Sequence, residues 1–231
     1  CVDQNKANRF LKWQGLPRSN HTNNPFPLII YDVPGEERFD GDSISFYNVE
    51  EADAVVKVTK KLLDSPEASC DPSDIVVMCA YWQQVRLVRK KLRDHDFGQI
   101  RVGVVDDYQG QEAPITILTC VLTQVREQVD QLMPLTGLLG NSKRINVALT
   151  RAIGLSIVVG STEFMTKDTH FKRLLDYCSE NNAVVCIDGG STINANDVSN
   201  NLGDKQRILK DYEDYADDED LILDQMQDAA V

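Results

Sequence analysis

The chain has 231 residues, 42% hydrophobic and 26% charged, with a formal net charge of −12. That supports one domain of ordinary size plus extensions, but it provides no run of about 18 apolar residues to span a membrane and no apolar signal-peptide core. Six scattered cysteines without a CxxC pair, and only three histidines, argue against a zinc site and suit a reducing compartment, the cytosol or nucleus.

Residues 1–26 read as a polar lead-in, with one helical turn near Asn8–Trp13 closed by Gly15 and Pro17. The chain begins at Cys1 without an initiator Met, which points to a piece of a longer protein. Leu28–Val33 is an apolar run stopped by Pro34-Gly35, hence a buried strand. Asn48 is placed to cap a helix, with Glu51 completing a capping-box pattern, and Ala52, Val55, Val56, Thr59, Leu62 and Leu63 follow at helical spacing until Pro66. A strand at Ile75–Cys79 and a basic helix over Gln83–Asp94 come next. Then follow a strand at Arg101–Val104, a turn at Gln109–Glu112 and a strand at Ile115–Val121. Residues 123–140 form a long connection to a helix over Asn141–Ala152, a strand at Leu155–Gly160, a helix near His170–Glu180 and a last strand at Ala183–Asp188. Strands apolar on both faces that alternate with helices describe an α/β fold, a mainly parallel sheet covered by helices on both sides.

The charge is uneven. Residues 204–231 hold ten acids against three bases, a net of −7, so the rest of the chain carries −5 and a local positive groove is compatible with the total. Residues 189–231 read as a linker followed by an acidic tail, either unfolded in isolation or partly helical and docked on a partner.

Three segments carry chemistry. Arg151 ends the helix that contains Asn146-Val147-Ala148-Leu149-Thr150-Arg151-Ala152. By residue type alone it is an arginine paired with a carboxylate at a helix end. In that string it suits a guanidinium reaching the phosphates of a nucleotide held by a neighbouring lobe, because its fork matches phosphate oxygens. Lys143 and Arg144, at the start of the same helix, are surface bases or contacts to RNA or phosphate. In Val104-Val105-Asp106-Asp107-Tyr108-Gln109-Gly110-Gln111-Glu112, Gly110 permits a close backbone approach and Glu112 can offer a carboxylate to ribose hydroxyls, although Gly-x-Glu taken alone means only a turn. Gln109 and Gln111 can face phosphate or RNA, and Asp106, at a strand end, suits the cap of a turn. In Cys79-Ala80-Tyr81-Trp82-Gln83-Gln84, at the end of a strand, Tyr81 or Trp82 either stacks on a base or packs under the following helix.

In order and spacing, the two longer segments resemble motifs V and VI of superfamily 1 helicases, in the Upf-like branch, and Tyr81 with Gln84 resembles motif IV. Arg9–Pro17, Pro27–Ile30, Ser45–Ala52 and Gly137–Arg144 narrow the resemblance, over roughly residues 8–188, to the Armitage and Moloney-leukaemia-virus-ten RNA helicases.

The resemblance implies a RecA-like, P-loop NTPase-type second motor lobe at 27–188 of a 5′-to-3′ RNA helicase serving RNA silencing or messenger turnover, in the cytoplasm, RNA granules or perinuclear zone. It implies ATP and Mg2+ as ligands, held mainly by a first lobe that carries the phosphate loop and acidic box. The chain has no Gly-Lys-Ser or Gly-Lys-Thr loop, so an isolated fragment is expected to be inactive. Arg151 becomes the catalytic arginine finger, Gly110, Gln111 and Glu112 the nucleotide contacts, and Tyr81, Asp106, Gln109, Lys143 and Arg144 the RNA contacts. Single-stranded RNA, the first lobe and a silencing-pathway protein on the acidic tail are the implied partners. Ala80 replaces a usual Pro, and Leu122 and Ile153 stand where relatives often have bases; the loss of those two charges puts the strength of RNA grip or coupling in doubt. Two rival readings are a non-enzymatic docking module and a lobe of a related DNA helicase.

Overall fold

In the computed structural model, residues 9–39, 45–123, 138 and 141–187 are described. The linker and acidic tail, most of the 123–140 connection and the end of the last strand lie outside them. Within the described residues the elements are β1 Leu28–Asp32, β2 Glu37–Phe39, β3 Phe46–Asn48, α1 Val49–Leu63, β4 Ile75–Cys79, α2 Trp82–Asp94, β5 Arg101–Val104, β6 Ala113–Thr119, α3 Ser142–Thr150, β7 Ala152–Gly160, α4 Thr162–Met165, α5 Thr169–Glu180 and β8 Val184–Cys186. Six of the strands form one sheet in the order β5-β4-β6-β7-β1-β8, and every pairing in it is parallel. This is the RecA-like α/β architecture, a mostly parallel sheet with helices on both faces. Among the described residues no helix is long and apolar enough to cross a membrane.

The apolar runs are continuous because each strand feeds two cores. Side chains alternate across a strand. Ile29, Val77, Ile117 and Ile157 therefore enter the core under α1 and α2, and Ile30, Met78, Leu118 and Val158 the core under α3 to α5. Strand registers align these sets, with Val77 beside Ile117, Ile117 beside Ile157, and Ile157 beside Ile29. Phe10 and Trp13, from the lead-in, are buried in the first core, so that segment also contributes packing.

Some boundaries differ from the sequence reading. β2 and β3 form a short antiparallel hairpin, too short and too exposed to leave a period-2 signal. The strand read as Ile115–Val121 ends at Thr119, because Val121 turns out of it with φ +76. Asn48 caps α1 through a bond from the Glu51 amide at 2.9 Å, yet the Glu51 side chain does not reach back as a capping box would. It points into the interior, where backbone beyond β6 needs an acceptor.

Candidate nucleotide and RNA faces

Parallel strands give the sheet two unlike edges, and the singled-out residues divide between them. At the C-terminal edge, β4 ends at Cys79 and β5 at Val104, which are register partners. Tyr81 follows β4 and is only 7% exposed. Its ring meets Phe46 of the hairpin edge-on, at 5.4 Å and 73°, and burial raises its phenol above the ordinary range. Of the two aromatics considered for stacking, Tyr81 is therefore the packed one, and Trp82, 51% exposed, is the one open to solvent.

After β5 the chain makes a 3-10 turn at Val105–Tyr108. Asp107, not Asp106, caps the strand end, its Oδ2 accepting from the Val104 amide at 3.0 Å. Asp106 instead meets Arg144 from the first turn of α3. Nε of Arg144 donates to Oδ1 of Asp106 at 3.2 Å, and a second guanidinium nitrogen donates to Oδ2. This hydrogen-bonded arginine holds the Asp106 carboxyl below its usual range. Two residues 38 positions apart thus form one ion pair. Asn141 fixes the start of α3 by accepting from the Arg144 amide at 3.0 Å, and Lys143 is exposed beside it.

The N-terminal edge carries the other set. Because β7 runs parallel to its neighbours, α3 must descend from the C-terminal edge to the start of β7, delivering Arg151 there. The Ala113 amide donates to the Arg151 carbonyl at 3.0 Å, and Ala113 is in register with Ala152. Glu112 and Arg151 consequently sit at the mouths of adjacent strands. Glu112 is exposed. The Arg151 guanidinium donates to Thr150 Oγ1 at 2.9 Å. Its Nε is buried without a partner, and no ion pair with a carboxylate engages it among the described residues. Buried donors are normally satisfied, and this one is left without a partner among the described residues.

Gly110 has φ +76, with nothing within 4 Å of where a Cβ would stand. The glycine answers a backbone requirement, and the space around it is open. Gln111 is tied into the turn, its Nε2 donating to the Asp107 carbonyl at 2.7 Å and its Oε1 accepting from Arg101 at 3.4 Å. Gln109 is exposed.

A buried polar cluster escaped the sequence reading. Glu51, Asn48, Gln84 and Thr119 are all inaccessible to solvent. Glu51 accepts from Thr119 Oγ1 at 2.5 Å and from the Val121 amide at 2.9–3.0 Å. Asn48 Nδ2 donates to the Val121 carbonyl at 3.2 Å. Gln84 bonds both backbone groups of Asn48, at 2.9 and 3.2 Å, and Thr119 Oγ1 at 3.0 Å. The clamp holds Val121 in a γ-turn of positive φ, closed by the Leu122 amide on the Cys120 carbonyl at 3.0 Å. Such a turn is strained, more so for a β-branched residue. Glu37 continues the clamp by accepting from the Thr123 amide at 3.0 Å. Burial, the largest cause, raises the Glu51 carboxyl to about 8 against the bonds that favour its charged form. The only sequence signal was the pairing of Asn48 and Glu51, which reads as a cap.

The comparisons with known proteins agree with this architecture. The family described as AAA domain matches residues 3–163. RNA helicase Mov10l1 of Homo sapiens is 35% identical over 188 residues, covering 81% of this chain and 15% of that protein. The mov-10-B.2 protein of Danio rerio, a helicase by name, is 31% identical over 214 residues, covering 87% of the chain and 20% of the relative. The armi protein of Drosophila melanogaster, an RNA helicase by name, is 30% identical over 156 residues, covering 67% and 13%. The chain belongs to the AAA domain family, among superfamily 1 helicases of the Upf-like branch that holds the Mov10 and Armitage proteins. It spans a fifth or less of the length of these relatives.

Proposed function

We propose that the chain, with residues 27–188 as its body, is the second motor lobe of an ATP-dependent RNA helicase. A first lobe supplies the phosphate loop and the acidic box for magnesium; magnesium neutralises phosphate charge there, and among the described residues of this chain no metal-holding cluster is present. The observation that carries the reading is the Arg151 guanidinium. It stands at a strand mouth beside exposed Glu112, free of any carboxylate among the described residues and with a buried Nε unsatisfied.

On this reading Arg151 meets the γ-phosphate when the lobes close and stabilises charge on its oxygens during transfer. Glu112 accepts hydrogen bonds from the ribose hydroxyls, and Gly110 leaves room for the sugar to approach. Gln111, bonded within the turn, sets its shape and so positions Glu112. The opposite edge, with Asp106, Gln109, Lys143 and Arg144, faces RNA, and Tyr81 supports it from beneath. Arg144, in the first turn of α3, and Arg151, the residue that caps its end, lie seven residues apart, about 10 Å along the helix axis. One short rigid helix thereby joins the strand-gripping edge to the nucleotide edge, so closure on ATP changes the grip on RNA. To this reading belong service in silencing or messenger turnover, 5′-to-3′ movement, a cytoplasmic location and a protein partner for the acidic tail, all proposed from the resemblance of the motifs alone.

The test is Arg151→Ala in the protein that carries both lobes. ATP turnover falls by about 10³-fold or more, while RNA affinity without nucleotide is unchanged. Turnover near that of the parent refutes the role.

A further inference from the structure

We infer that the outer face of α2 is a second surface for the phosphate backbone of single-stranded RNA, outside the cleft between the lobes. The inference rests on the RNA helicase reading above and extends the strand's path beyond it.

α2 carries five bases and one acid in thirteen residues, in a chain that otherwise favours acids. Two of the bases have structural work. Lys91 pairs with Asp53 of α1 at 2.5 Å, and Arg89 donates to the Val102 carbonyl of β5, its Nε at 3.1 Å. The other three, Arg86, Lys90 and Arg93, stand at i, i+4 and i+7, a single stripe about 10 Å long. No carboxylate pairs with any of them among the described residues. Like charges so spaced on a helix repel one another, so the stripe weakens the free lobe and is relieved by an anion. It lines an open groove of about 510 Å3, with Tyr47 of β3 on its wall.

The groove's end at the C-terminal edge identifies the anion. Gln83 lines it there, and its chain neighbour Trp82 is 51% exposed, with the Arg89 guanidinium over one face of its ring, 5.5 Å from the centroid. A half-exposed indole next in the chain to the lining of a positive groove supplies the combination that holds single strands without sequence preference, cations on the backbone and an aromatic face on the bases. An acidic protein segment would use the cations and not the open face of the indole. The Gln83 end of the groove lies at the same C-terminal edge as the Asp106–Arg144 pair, so a strand leaving that pair reaches the groove by passing over the edge to the α2 face.

The test uses the full-length protein and two variants. Arg86→Glu/Lys90→Glu/Arg93→Glu spares the structural Arg89 and Lys91, and Trp82→Ala leaves every charge in place. Each is titrated across a salt series with a short RNA that fills only the cleft and with a longer strand. For the triple variant, the longer strand's log–log salt slope falls by about 2, at about 0.7 per phosphate contact on a single strand, and short-RNA binding is unchanged. Trp82→Ala loses about tenfold on the longer strand and keeps the parent's slope. Unchanged long-strand affinity and slope in the triple variant overturn the proposal. So does loss of binding to a polyglutamate peptide with RNA binding intact, which makes the groove a protein site. A parent that binds neither RNA overturns the helicase reading itself. A parent that binds both strands equally well overturns only this surface.

Discussion

Val121 is the residue whose conformation its own chemistry least favours. It is fully buried with φ +76, where a β-branched side chain costs about 1–3 kcal/mol. Glycine would remove the strain but also the buried isopropyl group, worth about 1.5–3 kcal/mol, so Val121→Gly against the parent does not isolate the turn. The pair Val121→Gly and Val121→Ala does, since both delete that group. We expect the glycine variant to be the more stable by about 0.5–1 kcal/mol in urea denaturation, the reverse of the usual order of these two residues. An alanine variant at least as stable as the glycine one would mean the turn is unstrained. This position was illegible in the sequence, because nothing about a valine after an apolar run announces a left-handed turn. The burial of Tyr81 was equally hidden, since the ring that covers it, Phe46, comes from 35 residues upstream and from a hairpin three residues wide.

Among the elements, Glu51 ties three together, because it sits on α1, bonds the end of β6 and shares Thr119 with Gln84 of α2. Its carboxyl is raised to about 8 from an unfolded value of 4.5. Between those two values the folded protein keeps the proton and the unfolded chain has released it. Stability therefore falls as pH rises from 4.5 towards 8, by up to about 1.4 kcal/mol per pH unit, and levels off above. Glu51→Gln flattens that portion of the pH profile in chemical denaturation; a profile as steep as the parent's would place the proton elsewhere. For α3 the decisive residue is its cap. Asn141→Ala removes the acceptor of the Arg144 amide and should cost about 1 kcal/mol, seen as faster amide exchange in the first turn of α3 and not in α5. Equal exchange in the two helices would show that packing alone holds the start of α3. The long elements were legible because apolar residues on both strand faces and at helical spacing leave a strong pattern. The hairpin was not, with Phe39 53% exposed and Glu37 buried for its bond to Thr123, the inverse of what polarity suggests.

At the scale of the whole molecule, parallel order converts chain order into position. A helix that precedes a parallel strand must start at the C-terminal edge of the sheet and end at the N-terminal edge, so the start and end of one motif face opposite sides. The motif residues were readable from the sequence, and their partition was not. Asp106 and Arg144 come together through the β5-to-β6 connection packing beside α3, whereas Glu112 and Arg151 come together through the register of β6 and β7. On the proposed function, that partition is what would let the lobe couple nucleotide to strand.

The account turns on Arg151 acting only as charge develops on the transferred phosphate, which binding of ADP and of ADP with aluminium fluoride separates. In the two-lobe protein Arg151→Ala should bind ADP as the parent does and lose about 10²-fold or more for the transition-state analogue, whereas Glu112→Ala should weaken both ligands. An Arg151→Ala protein that holds the analogue as tightly as the parent would contradict the account.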